Sequence, residues 1–328
     1  MKDRVLQLLK NSNNFLSGEA LSRQLGVTRA AVWKMISALR DDGYPIDATT
    51  NRGYRLHGDV NILSEFEIRD NLDKANLLGS VNQIIFEKVM DSTNVRAKLI
   101  ADKQPQGVSL VVAECQSAGR GRHGKHWLSN DEQGLWFSIL LRPEAESAAL
   151  SRITLFAGLC VVEALDELGA AAGIKWPNDI IAVGSGRKLG GILTEITIEE
   201  NTVTALIIGI GLNIGQNHFA DELKGIATSL RLESNCPVSR VDVLTAILSV
   251  FIRRYPTFDQ PETWLADYRR RCLTLNRDIQ VITAGGETFS GRAVDLDAAG
   301  ELIVEDAAGL RHTVRSGEVS VRGLLGYS

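Results

Sequence analysis

Gln116-Ser117-Ala118-Gly119-Arg120-Gly121-Arg122-His123-Gly124-Lys125-His126-Trp127 is the stretch on which the fold class turns. Residues 119–124 satisfy G-x-G-x-x-G, the glycine spacing of a dinucleotide-binding turn, and an apolar β-type run lies upstream at 108–114. In a Rossmann unit, however, the glycines open directly into a helix whose N-terminus faces pyrophosphate. Here Gln116-Ser117-Ala118 separates run from glycines, and Lys125-His126-Trp127-Leu128-Ser129 carries no apolar helical period. A doubly wound parallel sheet is therefore not expected. Two readings stay open for the loop: a solvated basic turn, or two guanidinium groups on a glycine-flexible segment that close over an anion with bidentate contacts.

Outward from this loop, apolar β-type runs at 84–89, 135–141, 173–176, 179–183, 189–197 and 202–210 alternate with helical periodicity at 93–102, 151–169, 240–254 and 261–271. Several adjacent strands mixed with helices predict an α+β domain built on a mixed sheet. Residues 62–80 read as a helical connection to what precedes them. Beyond Cys272 the texture changes: short strands at 278–283, 288–296, 301–305 and 310–315 are punctuated by Gly285-Gly286, Gly300 and Gly309, the pattern of a small barrel.

The first 58 residues differ again. Leu21 and Leu25 sit one helical turn apart before Gly26, Thr28 is placed to cap the next helix, and Val32, Ile36 and Leu39 share one of its faces. A hairpin follows around Thr49-Thr50-Asn51-Arg52-Gly53. This segment carries nine Lys/Arg against five Asp/Glu, whereas the remainder carries 27 against 35. A small basic head on an acidic body fits a winged helix-turn-helix, with Thr28, Arg29, Trp33 and Lys34 toward a DNA groove and Arg52 and Arg55 toward phosphate. A helical interaction module that binds no DNA is the competing reading.

A chain of 328 residues predicts two or three domains. No apolar run approaches the ~20 residues of a membrane span, and the N-terminus lacks the apolar core of a signal peptide. No membrane and a cytoplasmic location are expected. Cys115, Cys160, Cys236 and Cys272 are scattered without a C-x-x-C pair, as reduced core residues are.

Three further motifs carry polar side chains at the edges of apolar runs. Lys175-Trp176-Pro177-Asn178-Asp179 is either a polar cluster or an ordinary hairpin turn. In Arg187-Lys188-Leu189-Gly190-Gly191-Ile192-Leu193 a lysine enters a strand beside two glycines, which often mark close approach by a ligand. Gly209-Ile210-Gly211-Leu212-Asn213 ends an apolar strand on an amide that could read a base edge or cap a loop.

Asp91-Ser92-Thr93-Asn94, Gln116 with G-R-G-R-x-G, K-W-P-N-D, R-K-L-x-G-I-L and G-x-G-x-N, in this order and over essentially the whole chain, resemble the biotin–protein ligase family, and most closely its members fused to an N-terminal winged helix, the biotin-operon repressors. Gly190 stands where the family often has alanine. The resemblance implies a winged helix-turn-helix over 1–62, a ligase domain over 63–272 and a small SH3-like β-barrel over 273–328. It implies formation of biotinyl-5′-AMP from biotin and ATP with Mg²⁺, and transfer of biotin to a lysine of biotin carboxyl carrier protein, a subunit of acetyl-CoA carboxylase. It also implies repression of biotin-synthesis genes at an operator by a homodimer loaded with biotinyl-AMP and joined through its central sheets.

Carried over residue by residue, the catalytic positions are Lys188 and Arg122. The biotin positions are Ser92, Thr93, Asn94, Gln116, Arg120, Gly121, Lys188 and Gly191. The ATP positions are Arg120, Arg122, Trp127, Lys175, Asn178, Asp179 and Asn213, with Asp179 also the metal candidate. Competing activities are a lipoate-type acyl–protein ligase and a ligand-sensing regulator without catalysis.

Overall fold

Gly134-Leu135-Trp136-Phe137-Ser138-Ile139-Leu140-Leu141 offers no polar alternation, and every position of this strand is buried. A strand apolar on both sides has to lie inside a sheet covered on both faces. In the computed structural model, which describes residues 1–58, 61–101, 107–143, 150–199, 202–234, 239–283, 287–315 and 319–323, it does. The chain divides into two compact units, Met1–Ile68 and Arg69–Ser328.

The first unit holds α1 (Lys2–Lys10), α2 (Gly18–Leu25), α3 (Arg29–Asp41) and an antiparallel hairpin, β1 (Ile46–Thr49) with β2 (Gly53–Leu56). Val5, Leu6, Leu9, Leu21, Leu25, Val32, Ile36, Leu39, Tyr44 and Ile46 form its core. Ser17 caps α2 by accepting from the Ala20 N–H, and Gly26, at φ 68° and ψ 32°, ends it. Thr28 caps α3. The turn from α2 to α3 is thus set by two caps and one left-handed glycine. Leu16 joins the hairpin through a bridge to Tyr54.

The second unit is organised by a seven-stranded mixed sheet. Its strands are β3 (Val81–Met90), β4 (Val108–Gln116), β5 (Gly134–Leu141), β6 (Ala172–Lys175), β7 (Asp179–Ala182), β8 (Lys188–Glu199) and β9 (Thr202–Asn213). Their spatial order is β3-β4-β5-β9-β8-β7-β6, and only β3 and β4 run parallel. Helix α5 (Thr93–Ile100) packs its Ala97 against Val111 and Ala113 of β4, Leu140 of β5 and Ala205 and Ile207 of β9. Helices α6 (Ile153–Glu167), α8 (Arg240–Arg254) and α9 (Leu265–Arg271) form a second layer. Phe156 is its hub, meeting Phe251, Phe258 and Trp264 edge-to-face at 5.9, 5.3 and 5.5 Å.

A second, antiparallel sheet follows, with β10 (Asp278–Thr283), β11 (Thr288–Leu296), β12 (Leu302–Glu305), β13 (Arg311–Val314) and β14 (Val319–Gly323) in the order β13-β12-β11-β10-β14. β13 and β14 are not paired with each other, so among the described residues the expected barrel does not close. The expected turn at Gly285-Gly286 lies outside the described residues, and β14 was not anticipated.

Two helical expectations shorten. Of the segment 62–80, only α4 (Glu65–Lys74) is α-helical, because Asn76 turns into the left-handed region at φ 57° and closes the chain back on Leu72. In 261–271 the helix starts at Leu265, after a single 3-10 turn at Pro261.

Trp176 joins the two sheets. It is 1% exposed, its Nε1 donates to the Gly300 carbonyl at 3.1 Å, and its backbone N–H donates to Thr274 Oγ1 at 2.9 Å. Alongside, Leu273 N–H donates to the Ile174 carbonyl. Equilibrium urea unfolding should find Trp176→Ala less stable by about 3–5 kcal/mol, from the vacated volume. Trp176→Phe should lose about 1–3 kcal/mol, from a buried carbonyl left without its donor.

Candidate functional site

The arginine loop folds as a small hairpin of its own. Gly121 N–H donates to the Lys125 carbonyl at 2.7 Å and Trp127 N–H to the Gly119 carbonyl at 2.9 Å, with Arg120 bridged to His126. Its tip, Arg122–Gly124, is one 3-10 turn in which His123 takes a left-handed φ of 55°. No helix follows, so the loop offers side-chain cations where a dinucleotide turn would offer helix amides. Ser129 and Gln116 hold its base: Gln116 N–H donates to the Ser129 carbonyl at 2.7 Å and Gln116 Nε2 to Ser129 Oγ at 3.0 Å.

K-W-P-N-D is a hairpin turn between β6 and β7, with Lys175 paired across to Asp179 and a cis Trp176–Pro177 bond. β7 then pairs Asp179 with Gly191 of β8. Lys188, the first residue of β8, pairs with Ile181, and its side chain reaches back to Asp179. Lys188 Nζ lies 2.5 Å from Asp179 Oδ1 and 5.2 Å from the centre of the Trp127 ring. Asn178 ties the turn to the loop, accepting from Arg122 Nη1 at 3.1 Å while its Nδ2 donates to the Ile192 carbonyl. Burial lowers the pKa of the Arg122 guanidinium, and the nearby Asp179 carboxylate opposes that shift.

The indole of Trp127 rests against β9, where a Cβ on Gly211 would fall 2.7 Å from its Nε1. Only glycine admits the ring there. Asn213, at the end of β9, donates from Nδ2 to the Thr228 carbonyl at 3.0 Å. The N-terminus of α5 supplies the opposite wall. Thr93 N–H donates to Gln116 Oε1 at 2.8 Å, and Ser92, at the cap, makes no side-chain bond with the helix. Asn94 is fully engaged by protein groups: Nδ2 donates to the Leu193 carbonyl and to Glu195, and Oδ1 accepts from Ser138.

All of these surround one cavity of about 710 Å³. Ser92, Thr93, Asn94, Gln116, Arg120, Gly121, Arg122, Trp127, Lys175, Asn178, Asp179, Lys188, Gly191 and Asn213 line it together. Cationic groups gather at one part of the lining, and uncharged donors and acceptors at the α5 end. Sequence reasoning missed the stretch from His218 to Ala227, which closes one side through Phe219, Leu223 and Ile226. It also missed Ser129, Ser138 and Glu195. For Ser138 a signal existed: one hydroxyl within an otherwise apolar strand. Among the described residues no group of three or more His, Cys, Asp or Glu could hold a metal. Asp179 is a single carboxylate already facing Lys188, so a divalent ion fits here only when carried in on phosphate oxygens.

The surface proposed for nucleic acid lies in the first unit. Arg29, Trp33 and Lys34 of α3 are exposed, and the Thr28 hydroxyl accepts from Ala31 N–H as the helix cap. The guanidinium groups of Arg52 and Arg55 lie 4.4 and 4.7 Å from the Phe15 ring centre. Arg55 also pairs with Asp47 at 3.3 Å, which anchors it to the hairpin while Arg52 stays exposed. Cys160 and Cys272 are buried and Cys115 half-buried, all three as free thiols; Cys236 lies outside the described residues. No helix among the described residues is long and apolar enough to cross a membrane.

Three family models match successive parts of the chain: an HTH domain at residues 2–55, the biotin/lipoate A/B protein ligase family at 86–213, and the biotin protein ligase C-terminal domain at 274–322. The bifunctional ligase/repressor BirA of Bacillus subtilis is 38% identical over 94% of this chain and 95% of its own length. The biotin–[acetyl-CoA-carboxylase] ligase of Mycobacterium tuberculosis is 30% identical over 78% of this chain and 95% of its own. Among solved structures, the biotin protein ligase of Aquifex aeolicus in complex with biotin and ATP superposes with a TM-score of 0.63 at 29% identity, covering 74% of this chain and 99% of that one.

A carboxylate outside the cavity secures Lys188. Glu233, in the short helix α7 (Leu230–Glu233), accepts from Thr228 Oγ1 at 2.6 Å, Ser185 Oγ at 2.7 Å and Arg187 Nη2 at 3.1 Å. Thr228 N–H in turn donates to the Lys188 carbonyl at 2.9 Å. Burial alone would raise the Glu233 pKa, but the bonds from Thr228, Ser185 and Arg187 outweigh it and hold it below the usual value. A lowered folded-state pKa gives stability that is present above the unfolded-state value and disappears as pH falls through the folded one. Glu233→Gln should therefore melt below the parent at neutral pH, with the gap closing as pH falls below about 4. A thermal-unfolding series across pH measures this.

Proposed function

Because the chain belongs to the biotin protein ligase family, in its bifunctional ligase/repressor branch, we propose that residues 63–272 join biotin and ATP into biotinyl-5′-AMP and transfer biotin to a lysine of biotin carboxyl carrier protein. Residues 1–62 bind operator DNA, and 273–328 complete the ligase. The observation that carries the reading is the meeting, in one cavity, of the Lys188–Asp179 pair, the arginine loop and the polar wall at Thr93 and Gln116.

In the first step a carboxylate oxygen of biotin attacks the α-phosphorus of ATP. The bond to the β-phosphate bridging oxygen breaks and pyrophosphate leaves. Both reactants are anions, so the main demands are charge neutralisation and alignment. Lys188 meets both: its ammonium leaves Asp179 for the biotin carboxylate and the α-phosphate. Arg120 and Arg122 cover the phosphates, with Asn178 orienting Arg122. Trp127 and Asn213 stand on the adenine side, and Lys175 approaches the phosphates from the β6–β7 turn. Ser92, Thr93, Asn94, Gln116, Gly121 and Gly191 form the biotin side. Mg²⁺ would shield the triphosphate, with Asp179 as its protein ligand. In the second step the neutral amine of the carrier lysine attacks the acyl carbon, AMP departs, and the amide nitrogen loses a proton to solvent.

As a repressor, the chain presents Arg29, Trp33 and Lys34 to base edges and Arg52 to phosphate, while Arg55 steadies the wing from Asp47. A single winged helix makes few contacts, so operator binding calls for a homodimer, formed through the central sheets when biotinyl-AMP is bound. Ile196 and Ile198 leave apolar side chains exposed on β8, which supports that face. The protein works in the cytoplasm.

ATP–pyrophosphate exchange is the direct test. The chain should exchange only when biotin is present, with lipoate unable to replace it. Lys188→Ala should lower the exchange rate by at least ~100-fold, the scale of a lost charge contact in a transition state. Exchange without biotin, or full activity in Lys188→Ala, overturns the assignment. For repression, sedimentation should show self-association strengthening with biotin plus ATP, and operator titration should weaken when carrier protein is added. Indifference of both measurements to ligand and carrier would leave two uncoupled functions.

A further inference from the structure

One aromatic ring of the first unit stands apart from its core. Phe15, in the connection between α1 and α2, is half-buried, yet it belongs neither to the buried cluster of the head nor to the side chains packed against that cluster. Its neighbours are cations. The guanidinium carbons of Arg52 and Arg55 stand over the ring, 4.4 and 4.7 Å from its centre. Both lie within the range of a cation–π contact.

Backbone pairing places the ring there. Leu16 N–H donates to the Tyr54 carbonyl at 2.8 Å, and Tyr54 N–H donates to the Leu16 carbonyl at 2.9 Å. The α1–α2 connection is thereby laid against β2 at the base of the wing. Gly53 permits the approach, since a Cβ there would fall 2.1 Å from the Leu16 carbonyl oxygen. Tyr54 and Leu56 pack against the core of the head, so Arg55 between them points to the opposite face of the hairpin.

The two arginines are not equivalent. Arg55 is engaged: its Nη2 reaches Asp47 Oδ2 at 3.3 Å, and its Nε is buried without a hydrogen-bond partner. The other oxygen of Asp47 lies 3.2 Å from His57 Nε2. Arg52, in the turn at the tip of the wing, is exposed and forms no salt bridge among the described residues. A free arginine side chain samples many rotamers, and gripping a phosphate costs it most of them. A carboxylate partner would order Arg52 but cancel its charge, as Asp47 does for Arg55. An aromatic face orders it and leaves the charge whole.

We infer that Phe15 is a positioning residue for DNA binding: it holds Arg52 ordered and fully charged for a backbone phosphate, from a segment of the chain remote from the wing. The inference rests on the repressor reading above.

The test is titration of duplex DNA with the full-length protein, biotin and ATP present, over a range of salt concentrations. The probes are a duplex from a promoter of biotin-synthesis genes and an unrelated duplex of equal length. Phe15→Leu removes the ring and no charge. It should weaken binding about threefold per head, hence about tenfold for two heads, equally on both duplexes. The slope of log affinity against log salt should not change, whereas Arg52→Ala should reduce it by about one per head. In the double variant, Phe15→Leu should cost nothing beyond Arg52→Ala, because the ring acts only through that side chain; damage to the hairpin itself would add. Phe15→Tyr keeps the aromatic face and should bind within about twofold of wild type. Circular dichroism checks each fold. Replacing Phe15 with pentafluorophenylalanine keeps the shape and reverses the ring quadrupole, so it should reproduce the loss even if Phe15→Leu does not fold. Losses that add in the double variant, a slope altered by Phe15→Leu, or wild-type affinity with the fluorinated ring overturn the role of Phe15. Wild-type protein that binds the promoter duplex no more tightly than the unrelated one overturns the repressor reading instead, and the slopes and double variant on the unrelated duplex still decide the role of Phe15.

Discussion

In the proposed reaction two anions must touch before the first bond can form, and one ammonium at the start of a strand is placed to meet that constraint. Lys188 Nζ sits between the Asp179 carboxylate at 2.5 Å and the Trp127 ring face. A partly desolvated cation without a counter-charge would be unfavourable, and Asp179 supplies one when no substrate is present. The pair also fixes what surrounds it. Asp179 has to end the β6–β7 turn, β8 has to begin at Lys188, and a glycine has to stand at 211 so that the indole can lie close. The Glu233 clamp holds the entry to β8 from outside the cavity.

At the other end of the cavity the requirement is neutrality with direction. An apolar wall would accept many ring systems; a buried wall with fixed donors and acceptors penalises those that mismatch, because an unmet buried group costs more than a matched one gains. The sheet supplies this wall together with the first turn of α5, through Gln116 at the end of β4 and Ser138 of β5.

Much of this was legible in the chain itself. The failure of residues 125–129 to continue as a helix excluded the dinucleotide fold, and the turn chemistry of Pro177-Asn178-Asp179 marked the β6–β7 hairpin. Motifs ending strands pointed to the cavity because strand ends are where polar side chains can converge. What stayed hidden depends on register. Glu195 reads as an ordinary outward position in an alternating strand, and only the pairing of Leu193 with Gly209 brings it beneath Asn94. The loop from His218 to Ala227 has no periodicity to read. Closure of the second sheet was not legible either, since strand spacing alone does not say whether the first and last strands meet; among the described residues β13 and β14 do not pair.

Trp176 gives the K-W-P-N-D turn a second allegiance. Lys175, Asn178 and Asp179 face the cavity, while the indole between them reaches the loop that carries Gly300 in the other sheet. A recombination boundary drawn between the two sheets would look harmless in the sequence, falling as it does where the texture changes. It would cut through a shared fastening. Chimeras that take the second sheet from a distant homologue therefore import a new seat for the indole, and with it a new tilt for the carboxylate that holds Lys188. Through this fastening the two sheets hold each other as one mechanical unit, however separable they look on paper.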